Sequence, residues 1–81
     1  MDKEIETAVG NNIRLLREKK NLTQEQVAAK LQINGCDITR GAVAKIEVGQ
    51  RHLYPDEIIL LKQIPNVEYD EIFKIDSPAN S

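Results

Sequence analysis

Cysteine and histidine occur once each, as Cys36 and His52, and this scarcity closes off most chemistry at the outset. A lone cysteine forms no internal disulfide, which agrees with a reducing compartment and a cytoplasmic protein. With no Gly-rich phosphate loop and no metal-ligand spacing either, no nucleophile has its base and no metal has its ligands. The expectation is a protein that is not an enzyme and carries no cofactor. Also missing is any apolar run near the roughly 20 residues of a membrane span, and the opening MDKEIETAVG is charged where a signal peptide would be apolar. No internal repeat and no segment of strand period is present, so the secondary structure is read as helical throughout.

What is present fits one small domain. The chain has 81 residues, 41% hydrophobic and 30% charged, enough for a single core and no second unit. The domain is placed at residues 1–75, with the final DSPANS, residues 76–81, as a flexible tail. No room is left for a sensory domain, so any signal is expected to act through concentration, proteolysis or a partner protein. The net charge of −2 hides an asymmetry. Residues 11–51 carry eight basic against four acidic side chains, a surplus of +4, while residues 52–81 carry −4. Phosphate attraction follows the local face, because charges beyond a Debye length of roughly 8 to 10 Å are largely screened.

Five helices are predicted. Ile5, Val9, Ile13 and Leu16 form one apolar stripe over a first helix from near Lys3 to about Lys20. Gly10 interrupts it and is expected to fray or bend the part before it. Asn21 stands where a left-handed cap belongs. Thr23 and Gln26 make a capping box for a second helix reaching Leu31 or Gln32, with Val27, Ala28 and Leu31 inward. The stretch from Gln32 to Ile38 contains the turn pair Asn34-Gly35, with Ile33 and Ile38 placed to anchor it to the core. Thr39 caps a third helix, which stops at Gly49 with Val43 and Ile46 inward. Pro55, Asp56 and Glu57 open a fourth helix that ends before Pro65 and uses Ile58, Leu61 and Ile64 as its core stripe. A short fifth helix runs from Glu68 to about Ile75; its Phe73 and Ile75, with any of Ile59 and Leu60 left exposed, are the candidate pairing surface of a dimer, the core being the preferred place for Phe73. The carboxylates Asp56, Glu57, Asp70 and Glu71 lie at helix starts, where capping explains them.

The segments IRLLRE at 13–18, LTQEQVA at 22–28, TRGAVAKIEVGQR at 39–51 and VEYDEIF at 67–73 together resemble the lambda-repressor-like family, the Cro/C1 or xenobiotic-response-element type of helix-turn-helix domain. The resemblance covers residues 11–74 and implies a compact all-α, five-helix domain with the helix-turn-helix at helices 2 and 3. The turn is about five residues longer than the family's usual one. Such proteins lay the second helix of the motif in the major groove, its N-terminal residues touching base edges. That surface is Arg40, Gly41, Ala44 and Lys45. Arginine and lysine donate to guanine O6 and N7, so Arg40 and Lys45 are the informative pair, with Arg40 also able to reach phosphate; otherwise both are solvated side chains on an exposed helix. Gly41 and Ala44 admit a thymine methyl or read nothing.

The resemblance also implies that Gln24 grips the DNA backbone, and the free amides and positive dipole of a helix N-terminus support it. Thr23, Thr39 and Arg51 join the phosphate contacts; Thr23 and Gln24 could equally do no more than cap. By the same resemblance Arg17 and Glu47 form a largely buried ion pair that ties the scaffold together. His52 reads as a surface histidine and Cys36 as a passive thiol. Two functions from different classes stay open. One is a sequence-specific regulator, a repressor that occupies a palindromic double-stranded operator as a homodimer. The other is a helix-turn-helix module whose main business is a protein partner, antitoxin-like or coactivator-like, with weak DNA binding.

Overall fold

The computed structural model describes residues 2–75, so the tail expected at residues 76–81 lies outside the described residues. Helix α1 spans Lys3–Lys19, α2 Gln24–Ile33, α3 Arg40–Glu47, α4 Pro55–Gln63 and α5 Tyr69–Ile72, and the described residues include no strand. The Asp2 carboxylate starts α1 by accepting the amides of Glu4 and Ile5 at 2.8 and 3.3 Å. Thr23 and Gln26 exchange two bonds at the start of α2, Gln26 N–H to Thr23 Oγ1 at 3.1 Å and Thr23 N–H to Gln26 Oε1 at 2.8 Å. Thr39 Oγ1 takes the amide of Ala42 at 3.1 Å and opens α3. Asn21 is left-handed, with φ of 59°, and turns the chain between α1 and α2.

One core joins all five helices. Val9 and Ile13 of α1, Val27, Ala28 and Leu31 of α2, Val43 and Ile46 of α3, Leu61 of α4 and Ile72 of α5 are buried together, with Ile38, Leu53 and Val67 supplied by the connections. Helix α1 packs on α3 and α5, and α2 packs on α3.

Four expectations need correction. Helix α1 runs unbroken through Gly10, because that glycine is where α3 crosses: a Cβ there would collide with the carbonyl oxygen of Ile46. Ile33 does not anchor the long turn. It is 83% exposed as the last residue of α2, whereas Ile38 is buried. The turn is held instead by Cys36 N–H to Leu31 O at 2.9 Å and by the Gln32 side-chain amide to Ile38 O at 2.8 Å. Ile58 and Ile64 pack against the core but are only half-buried, so Leu61 alone of the α4 stripe lies fully inside it. Finally, α5 is a single turn, and Phe73, expected in the core, is 41% exposed. At that ending the Asn12 side-chain amide donates to Ile72 O at 2.9 Å and Lys74 O at 2.7 Å, taking up carbonyls at and just beyond the end of the helix.

Candidate nucleic-acid interface

Helix α3 is oriented by a buried carboxylate. Glu47 is 1% exposed. Arg17 of α1 reaches it with Nε at 2.6 Å and Nη2 at 3.1 Å, and spends Nη1 on the carbonyl of Leu22 at 2.8 Å. Gln24, the first residue of α2, adds its side-chain amide to Glu47 Oε1 at 2.9 Å. The carboxylate therefore accepts three hydrogen bonds from two elements, and the Glu47 bond raises the Arg17 guanidinium further above its ordinary range. The physical result is a fixed joint: the end of α3, the start of α2 and the end of α1 meet on one carboxylate. Gln24, expected to grip phosphate, spends one amide hydrogen inward and keeps its second N–H and its oxygen.

Around this joint lies the face that α3 presents. Arg40, Gly41 and Lys45 are exposed, and Ala44 is half-buried. Among the described residues neither Arg40 nor Lys45 has a carboxylate within 4.0 Å. Arg40 shares a shallow cleft with Arg14, Arg17, Thr23 and Gln24, so the start of α3 is brought against the start of α2. Arg14 was missed in the sequence except as a charge; it faces the same cleft and makes an exposed 3.5 Å pair with Glu18. The hydroxyls of Thr23 and Thr39 cap their helices at exposed positions. A Cβ on Gly41 would meet only Thr39 Oγ1, at 3.8 Å, so the fold does not require glycine there.

The connection after α3 is fastened twice. Arg51, expected on phosphate, is instead engaged by the protein: Nη1 and Nη2 each bond Glu57 at 2.9 Å, and Nη1 also donates to His52 O at 2.9 Å. Its guanidinium stands 5.8 Å from the Tyr54 ring centroid. The second fastening joins this segment to α1. Glu6, 5% exposed, accepts Leu53 N–H at 3.2 Å and stands 3.0 Å from His52 Nδ1. Burial alone would raise the Glu6 pKa, but the His52 and Leu53 bonds outweigh it and hold the carboxyl below its usual range. Gly49, with φ of 76°, has room only for hydrogen where it passes Thr7. Sequence reasoning did not single out Glu6, because its partner lies 46 residues away. Cys36 is half-buried beside α4, and burial pushes its thiol up, away from reactivity.

No helix among the described residues is long and apolar enough to cross a membrane. Comparison with curated proteins and with solved structures returns no match. The helix-turn-helix family model matches residues 13–72, a span that takes in most of α1, the joint at Glu47, the exposed face of α3 and the single turn of α5. The chain thus belongs to the helix-turn-helix family of Cro/C1 type, a family of DNA-binding regulators.

Proposed function

We propose that residues 1–75 act as a sequence-specific double-stranded DNA-binding domain, and that the protein is a cytoplasmic repressor working by operator occupancy. The observation that carries this reading is the contrast between the two ends of α3. At its end Glu47 is locked to Arg17 and Gln24, whereas at its start and middle Arg40 and Lys45 stand exposed with no carboxylate in reach among the described residues. A rod fixed at one end and unpaired along its outer face suits insertion into a major groove. Arg40 and Lys45 donate to base edges, with Gly41 and Ala44 against the groove floor. Thr23, Thr39, the spare groups of Gln24 and the remaining N–H groups of Arg51 hold phosphates.

One such helix covers only a few base pairs, so useful affinity calls for two copies. A homodimer reading half-sites about 34 Å apart on a palindromic operator supplies it. Selection from a random duplex library followed by sequencing tests the whole reading. The expected result is an enriched palindrome. A single unrepeated half-site would remove the dimer, and no enrichment of any sequence would turn the reading toward a module for a protein partner.

A further inference from the structure

A cleft beside the end of α3 has a charge balance set by one side chain. Its walls are Lys3 and Glu6 of α1, Gly49, Gln50, Arg51 and His52 of the connection, and Tyr54 ahead of α4. Arg51 is bonded to Glu57, and of the other charged groups lining the cleft Lys3 is positive and Glu6 negative, so two cations stand against two carboxylates. That leaves His52, the chain's one histidine, with a side chain 76% exposed. Histidine is the side chain whose charge ordinarily changes between about pH 5 and 8. The cleft is neutral when His52 is neutral and positive when it is protonated.

The Glu6 contact also fixes which ring nitrogen responds. An ionised carboxylate only accepts, so the ring nitrogen 3.0 Å from Glu6, Nδ1, carries the hydrogen in the neutral ring. Nε2 then carries a lone pair on a largely exposed ring, and that lone pair repels a phosphate oxygen. A proton taken from solvent onto Nε2 reverses both features, converting an acceptor into a donor and adding one positive charge. Gly49 and Gln50, which directly follow α3, form the adjoining wall, and Gln50 N–H bonds back to Lys45 O at 2.8 Å. The cleft thus adjoins the C-terminal end of α3. Resting on the DNA-binding reading above, the geometry points to His52 as a proton-gated phosphate contact: its Nε2–H engages a backbone phosphate of bound duplex only when the ring is charged, so that DNA binding takes up a proton at this residue.

The test is equilibrium binding of the whole protein to mixed-sequence duplex across a salt series at about pH 5.5 and about pH 8, with wild type and His52→Gln. The glutamine keeps a hydrogen-bonding group but cannot charge, and circular dichroism checks that it folds. Wild type is expected to bind about two- to five-fold tighter at the lower pH. Its plot of log affinity against log salt is expected to steepen by about 0.9, the value for one added phosphate contact. His52→Gln should lose both changes, which separates His52 from the amino terminus. An NMR titration of the His52 ring with and without duplex should show its midpoint rising on binding. Duplex binding with the same pH response in wild type and variant, or a midpoint unmoved by DNA, overturns the proton-gated contact and leaves the DNA reading standing. No duplex binding at either pH overturns both.

Discussion

On the proposed DNA-binding reading, Lys45 and Gln24 lie on opposite sides of the distinction between reading and holding. Lys45 is exposed and uncommitted on α3, so Lys45→Ala should weaken binding to a selected operator by about 1 to 3 kcal/mol, with much less effect on scrambled duplex. Gln24 turns one amide hydrogen into the Glu47 joint, so Gln24→Ala should lower affinity on all sequences alike and also lower stability. Titrations on both duplexes, paired with denaturant melts, check this; a uniform loss for Lys45→Ala would make it a phosphate contact. At the joint itself the stakes are larger. Glu47→Ala strands the Arg17 guanidinium, whose side chain is 12% exposed, and should cost about 3 to 5 kcal/mol, although exchange of the whole ion pair for apolar residues could be nearly neutral. A melting temperature within a degree or two of wild type would show the joint to be dispensable.

Between elements, one substitution should have opposite signs at two glycines. Helix propensity alone says that Gly→Ala gains about 1 kcal/mol at either position. At Gly41 nothing opposes that gain, and Gly41→Ala should stabilise by about 0.5 to 1 kcal/mol. At Gly10 the added methyl meets the Ile46 carbonyl, backbone that cannot swing aside, and overpacking should cost about 1 to 3 kcal/mol net. Urea midpoints of the two variants decide it, and equal shifts would mean that the α1–α3 crossing yields. The same pair shows what was legible in the sequence. Helix starts were legible, since Thr23, Gln26 and Thr39 act within three residues of themselves, as was the left-handed Asn21. The crossing at Gly10 was not, because the reason for that glycine lies on another helix. The end of α5 was hidden for a related cause: Asn12, whose side chain takes up the Ile72 carbonyl, lies 60 residues away. The Glu6 fastening predicts its own pH dependence. A carboxyl held below its ordinary value of 4.5 contributes stability that is present above that value and is lost as pH falls through its lower folded value. Chemical melts between about pH 3 and 6 should therefore fall more steeply for wild type than for Glu6→Gln, and parallel curves would remove Glu6 from the acid response.

Across the whole molecule, charge is sorted along the chain: residues 11–51 carry +4 and residues 52–81 carry −4. The division was visible in composition, but its exceptions were not. Arg51 belongs to the basic part, yet Glu57 from the acidic part neutralises it at two 2.9 Å bonds. Arg14 opens onto the same cleft as Arg40, with Glu18 3.5 Å from its guanidinium. The acidic side chains of α5 are exposed and apart from that cleft, which makes their influence on DNA a matter of range. The screening length is about 30 Å in 0.01 M salt and about 8 Å at physiological ionic strength, so a distant carboxylate repels the duplex in the first condition and is hidden in the second. Neutralising one of them together with the exposed N-cap carboxylate, Asp70→Asn with Glu68→Gln, should therefore tighten binding to random duplex in dilute salt, leave it unchanged near 0.15 M, and leave the ratio of operator to random affinity untouched in both. Gel-shift or anisotropy titrations at the two salt concentrations measure all three quantities. A change in the ratio would place these carboxylates at the DNA, and tightening that survives physiological salt would place them within a few ångströms of a phosphate, either of which contradicts a reading face centred on Arg40 and Lys45.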